Sequence, residues 1–440
     1  MARPKKLPVL NSQTAGIDIG SREIFIGIAN NQVKSFETFT SSFELAIEYL
    51  KENKITSVAM ESTGVYWVTL YDMLEEAGFE VYLVKSNAIK NVPGRKTDVL
   101  DCQWIQQLHS YGLLRASFIP PGDTRILRSY TTLRHKNIQL ASDHIRRAQK
   151  ALDLMNIKLH FVISEIHGKS GMRILKAILN GERNPFNLVE LCDKQILKKK
   201  RDRVIDSLKG NYREEHLFAL RQAVEGYEYY QTRILECDKE IEKQLEKMTR
   251  DLSEPAKMNK PKRIRRNIPQ IKELHPMLMK LTGGTDPSQI TGFTDATLLD
   301  IVSRVGTDMS HWKTSNHFTS WLGLAPNVHD SGKKKKMKRI KNKSSAGQIF
   351  RVAAHSLASS KHNAFGAFYK RIRAKKGKLF ATKATARKLA VTYYNIMTKG
   401  IDYVEEGITL YQQKIKEQRV KYLQKQARYY GFSLTEVDAS

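Results

Sequence analysis

Cysteine is almost missing from this chain. Cys102, Cys192 and Cys237 are the only three in 440 residues, and none belongs to a C-x-x-C pair, which excludes a disulfide framework and a zinc ribbon. The 12 histidines show no metal-ligand spacing. No run of about 18 apolar residues is available to cross a bilayer, and Met1-Ala2-Arg3-Pro4-Lys5-Lys6 is not followed by an apolar signal core. A cytoplasmic protein without membrane attachment is therefore expected. Acidic residues are scarce: 45 Asp and Glu stand against 74 Lys and Arg, a net charge of +29. The surplus is concentrated in the second half of the chain and points to a polyanionic partner.

What is present is ordinary in apolar content, 41% hydrophobic, over a length that allows two or three cores. Two β runs, 15–19 and 24–28, flank the turn Gly20-Ser21-Arg22-Glu23, and Val33 to Phe39 extends them as an antiparallel sheet. Ser42 to Asn53 reads as a helix capped by Ser41 or Ser42. Ser57 to Glu61 and Phe79 to Val84 are further strands, separated by a helix through Tyr66, Leu70 and Leu74. Strands followed by alternating helix and strand predict an α/β fold with a mixed sheet.

The few acids in this region occupy unusual places. Asp18 interrupts an apolar strand, where a carboxylate is costly unless a donor or cation neutralises it. Glu61 ends a buried strand. Lys96-Thr97-Asp98-Val99-Leu100-Asp101 opens a helix running through Trp104, Ile105 and Leu108, which sets Asp98 and Asp101 on one face. Two like charges that close are tolerated best at a helix N-terminus or around a cation. Ligands of open α/β sheets bind beyond strand ends, so all four carboxylates are candidates for one metal site. An all-carboxylate set suits a hard cation, Mg²⁺ or Mn²⁺.

Three segments carry a resemblance. G-I-D-I-G-S at 16–21, M-E-S-T-G-V-Y-W at 60–67 and G-R-K-T-D-V-L-D at 94–101 resemble the DEDD transposases of the bacterial insertion-sequence group IS-one-ten, with its Piv/MooV-type invertase relatives. The resemblance implies a RuvC-like, RNase H type fold for the first domain. It puts the family's catalytic, metal-binding tetrad on Asp18, Glu61, Asp98 and Asp101. Cys102 departs from the expected alanine and is acceptable as a small apolar residue.

From Asp123 to about Val162 the pattern is helical, with a coiled-coil seam through Ile138, Ala141, Ile145, Ala148, Leu152, Met155, Leu159 and Val162. The opposite face is assigned Arg134, Lys136, Arg146, Arg147 and Lys150. A second seam, Leu217 to Met248, is interrupted by Gln231 and Asp238, polar residues able to fix register. The two helices either pair with each other or join two chains. Pro255 to Arg266 reads as a basic linker.

Downstream, Trp321-Leu322-Gly323-Leu324-Ala325-Pro326 leads to Ser331-Gly332 and the basic run Lys333 to Lys341, which resembles the same family's C-terminal transposase domain. The resemblance makes Ser331 the nucleophile that attacks DNA. A serine hydroxyl needs help to ionise and a phosphodiester needs its charge screened, and the adjacent lysines suit the second task. Nucleic-acid contacts are expected from Arg95, Lys96, Lys333, Lys334, Lys335, Lys336, Lys338, Arg339, Lys341 and Arg351.

The expected organisation is a RuvC-like domain at 1–122, a helical coiled-coil region at 123–254, a basic linker at 255–270, a mainly helical transposase domain at 271–405 and a polar helical tail at 406–440. The expected activity is DNA strand cleavage and exchange at the ends of a mobile element. Kinship further implies a homo-oligomer, dimer or tetramer, guided by a structured noncoding RNA and associated with the nucleoid when active. A RuvC-like nuclease or junction resolvase would use the same tetrad with water as nucleophile and would not need Ser331. A sugar-kinase or actin-like ATPase shares the G-I-D-I-G-S hairpin, but no later D-x-G-G phosphate loop follows.

Overall fold

The computed structural model describes residues 8–62, 64–85, 98–255, 258–264, 266–326, 328–331, 334–337, 344–360, 363–400, 413, 417 and 420–435, without the side chains of 31, 98–100, 328–331 and 334–337. It divides into two compact units, Met1–Ile119 and Pro120–Ser440.

In the first unit, alternating isoleucines make strands with one fully apolar face. Strands β1 (Thr14–Ile19), β2 (Glu23–Gly27), β3 (Val33–Glu37), β4 (Ser57–Glu61) and β5 (Glu80–Val84) form one sheet in the order β3-β2-β1-β4-β5. The first three are antiparallel, whereas β4 runs parallel to β1 and β5 parallel to β4. This is the mixed sheet the sequence predicts. Ile17, Ile19, Ile24 and Ile26 pack against Phe43, Ala46 and Leu50 of helix α1 (Thr40–Glu52) and Leu70 and Leu74 of α2 (Trp67–Glu76). Each fully buried isoleucine or leucine among them contributes about 1.5–3 kcal/mol. Helix α1 starts two residues earlier than expected, at Thr40, with Phe39 in the cap position and no side-chain cap. The opposite face of the sheet is covered by α3 (Asp98–Ser110), where Ile105 and Leu108 meet Ala59 and Val84.

In the second unit, α4 (Gly122–Leu154) is followed by four shorter helices, α5 (Leu159–Val162), α6 (Lys169–Leu179), α7 (Pro185–Val189) and α8 (Lys194–Ser207), and then by α9 (Glu214–Thr249). Helices α4 and α9 pair with each other in antiparallel fashion. Asp123, at the start of α4, accepts from Gln244 (3.1 Å) and Lys247 (2.9 Å) near the end of α9. At the other end, a side chain at Gly226 of α9 would collide with the His144 ring of α4.

Two details of the coiled-coil reading are corrected. The first seam does not continue to Val162: α4 ends at Leu154, and Asn156 takes φ 55° to break the chain before α5. Asparagine enters that left-handed region at low cost. Arg134 is not on the outer face. It is buried, 6% exposed, because its guanidinium meets fully buried Asp238 at 2.5 Å. The Asp238 carboxylate also accepts from the Gln270 amide (2.9 Å), and Arg134 donates to the Asn267 carbonyl (3.1 Å).

The remainder is mostly helical: α10 (Leu274–Leu281), α11 (Asp295–Val305), α12 (Ser315–Trp321), the strand pair β6 (Val328–Ser331) and β7 (Lys334–Met337), α13 (Ser345–Ser356) and α14 (Ala364–Lys399). Phe318, Phe350 and Tyr393 form its aromatic core, with ring centroids about 6 Å apart. Among the described residues no helix is long and apolar enough to cross a membrane.

Candidate active site

A strand shows alternate residues to opposite faces. In β1, Ala15, Ile17 and Ile19 belong to the core beneath α1 and α2, so Thr14, Gly16 and Asp18 face α3. In β4, Ala59 packs under α3, and Ser57 and Glu61 share its face. The parallel register pairs Gly16 with Ala59 and Ile17 with Met60. One further step makes Asp18 and Glu61 neighbours on adjacent strands, about 4.8 Å apart along the hydrogen-bonding direction, at the carboxyl ends of β1 and β4.

Helix α3 is locked onto this face with a definite polarity. At Gly16 any Cβ would collide with the Cys102 carbonyl and the Gln106 amide, and at Gly27 it would come within 3.0 Å of the Gln103 amide. Position 16 therefore requires glycine for the helix backbone to lie this close, and at Gly27 a methyl group would fit only if that backbone gave way by a few tenths of an ångström. Further along, Gln106 Nε2 donates to Thr14 Oγ1 (3.2 Å), and His109 Nε2 lies 2.8 Å from Ser57 Oγ. The Ser110 carbonyl accepts from the Leu10 amide (2.8 Å). The end of α3 thus sits over the strand beginnings, and its first turn, Asp98 to Asp101, extends toward the strand ends that carry Asp18 and Glu61.

Electrostatics agree with that geometry. The buried Cys102 thiol is pushed up to about 11, first by burial and then by the Asp18 and Asp101 carboxylates, which both act on it. Asp18 of β1 is thus near enough to act on the same thiol as Asp101 of α3. Burial lowers His109 below the usual histidine range, with Glu80 opposing, which favours the neutral ring that bonds Ser57. Asp18 and Asp101 are half-buried, and Asp18 and Glu61 are each engaged in a polar or electrostatic interaction. Asp98 opens α3, and its side chain lies outside the described residues, as do Arg95 and Lys96. Among the described residues no group of three or more His, Cys, Asp or Glu side chains is gathered to hold a metal. The four acids are all carboxylates, the donor set that fits a hard divalent cation.

The second centre is built on the other unit. Ser331 ends β6, and its register partner across the strand pair is Lys334, with Asp330 opposite Lys335 and His329 opposite Lys336. The side chains of both strands, and Lys333, Lys338, Arg339 and Lys341, lie outside the described residues. Arg351 is half-buried on α13, donating to the Gly323 carbonyl (3.3 Å) in the L-G-L-A-P loop. Sequence reasoning missed its neighbour Lys383 on α14. Burial lowers the basicity of both groups, and the Arg351 charge lowers that of Lys383 further. The available signal was compositional: no Asp or Glu occurs between Asp330 and Asp402. Gly16, Gly27, Gln106 and His109 were missed as well, since nothing in a linear pattern says which helix crosses which strand.

Comparison with known families locates matches in both units. Residues 15–157 match a family model described as a transposase, of the DEDD type of the IS110 group. Residues 288–370 match a second, described as "Transposase IS116/IS110/IS902 family". No curated protein matches the chain.

Proposed function

The chain belongs to the IS110 group of insertion-sequence transposases, and from that premise we propose a reaction scheme for its own residues. It is a DNA transposase/recombinase by family, with a RuvC-like first domain. Membership implies DNA binding and suggests dependence on a divalent metal.

In the proposed reaction Ser331 is the nucleophile. Its hydroxyl oxygen forms a bond to the scissile phosphorus while the bond to the departing deoxyribose oxygen breaks. The proton lost by the serine is matched by one gained at the leaving oxygen. The phosphoserine link conserves the bond energy of the phosphodiester, so a second strand end can rejoin by the reverse exchange. Asp18, Glu61, Asp98 and Asp101 would hold a divalent metal such as Mg²⁺, which would supply positive charge at the reacting phosphate. Lys333 to Lys336, Lys338, Arg339, Lys341 and Arg351, with Arg95 and Lys96, neutralise phosphates along the bound strand. The protein works as a homo-oligomer on the element ends and a target, guided by a structured noncoding RNA, in the cytoplasm where the DNA is.

The observation that supports this scheme most is the meeting of Asp18, Glu61 and the first turn of α3 at one end of the sheet, within a segment matching a DEDD transposase family. The test is incubation with element-end DNA, the element's RNA and Mg²⁺, followed by denaturing electrophoresis. A covalent protein–DNA adduct is expected, absent from Ser331→Ala and from Asp98→Asn. An adduct formed by Ser331→Ala removes the serine assignment. Metal-dependent cleavage without any adduct favours water as nucleophile.

A further inference from the structure

Helix α14 is interrupted. Gly377 takes φ 80° and ψ 174°, outside helical space and in the region that favours glycine. In a straight helix Phe368 and Lys388 would stand about 30 Å apart. Instead the Lys388 ammonium lies 4.4 Å from the Phe368 ring centroid, and the Tyr369 hydroxyl lies 3.4 Å from Thr382 Oγ1. The chain therefore folds back at Gly377 into a helical hairpin whose arms are anchored by buried Tyr369 and Ala381.

The tip of this hairpin is chemically unusual. Arg373, Lys375, Lys376 and Lys378 are all exposed, and beside them Leu379 is 85% and Phe380 49% exposed. No carboxylate is near in sequence, because the stretch from Ser331 to Ile401 contains none. An exposed leucine and phenylalanine lose free energy to hydration unless a partner covers them. The tip is convex and cationic, and a groove lined with phosphates and floored by stacked bases complements both properties. Apolar side chains flanked by cations unstack base steps in this way.

We propose that the Gly377 hairpin is a duplex-opening wedge: its lysines and arginine grip phosphates while Leu379 and Phe380 enter between bases of the bound DNA. This rests on the DNA-binding reading above and not on the serine chemistry. Opening of the duplex would expose single strands for pairing or exchange.

The test uses the full chain and element-end duplexes in which 2-aminopurine is moved base by base. The wild-type protein is expected to raise the fluorescence at one step. Leu379→Ala/Phe380→Ala is expected to abolish that rise while weakening binding by no more than about tenfold. Lys375→Ala/Lys376→Ala/Lys378→Ala is expected to reduce the slope of log affinity against log salt by about 2–3. The substituted residues are exposed, so an unchanged thermal midpoint is expected to confirm folding. A fluorescence rise that persists without Leu379 and Phe380 overturns the wedge, and an unchanged salt slope overturns the phosphate grip. A wild-type protein that binds anionic phospholipid vesicles and no duplex overturns the DNA reading itself.

Discussion

The acid-bearing face of the first unit and the acid-free C-terminal stretch solve opposite problems. In the proposed scheme a few carboxylates at the ends of β1 and β4 must occupy fixed places, and the close approach of the α3 backbone at Gly16 and Gly27 sets the helix that carries two of them. Between Ser331 and Ile401 the proposed requirement is charge, and the stretch carries 20 lysines and arginines and no acid, several of them on exposed helix surfaces where position matters less. Metal chemistry demands geometry because attacking and leaving oxygens must be met at bonding distance. Holding a polyanion demands density of charge, since counterion release scales with the number of phosphates neutralised. One region should therefore be intolerant of single conservative changes and the other tolerant of them.

The sharpest test of that contrast is Asp101→Asn, nearly isosteric and without charge. Adduct formation is expected to fall by about 10²–10³-fold with the thermal midpoint preserved, whereas Lys376→Ala alone should change adduct formation little. Arg134→Ala should have the largest effect on stability, because it strands the buried Asp238 carboxylate. A loss of about 3–5 kcal/mol is expected from denaturant unfolding. Replacing both partners with leucine should recover much of it. Gly16→Ala forces a methyl group into the α3 backbone, for an overpacking cost of about 1–3 kcal/mol. It should also raise the Mg²⁺ concentration needed for activity, by moving Asp101 away from Asp18.

The smallest expected effect is a pH dependence. Burial holds the folded-state value of His109 below that of the unfolded chain. The unfolded state therefore binds the extra proton first, and stability is lost as pH falls through the ordinary histidine value of about 6.5. The difference in thermal midpoint between pH 7.5 and 5.5 should be smaller in His109→Asn than in the wild type.

Much of the first unit was legible because its signals are local. Isoleucine alternation marks the strands, and a carboxylate in an apolar strand announces a special position. Asp98 and Asp101 are visible as a like-charged pair at helical spacing. Arg134 was illegible for the opposite reason: its partner lies 104 residues away, and periodicity alone assigns an arginine to solvent. Asp238 stood out as an interruption of its seam, but its role needed the fold. The break at Asn156 was hidden because apolar residues continue through it at near-helical spacing. The pairing of α4 with α9 within one chain, which the seams left open, follows from contacts that no single seam encodes.

The most direct test of the account is mass spectrometry of the proteolysed protein–DNA adduct. A peptide containing Ser331 linked to a nucleotide through phosphate is the expected result. A nucleotide on any other residue, or full metal-dependent cleavage with no linked peptide, would contradict it.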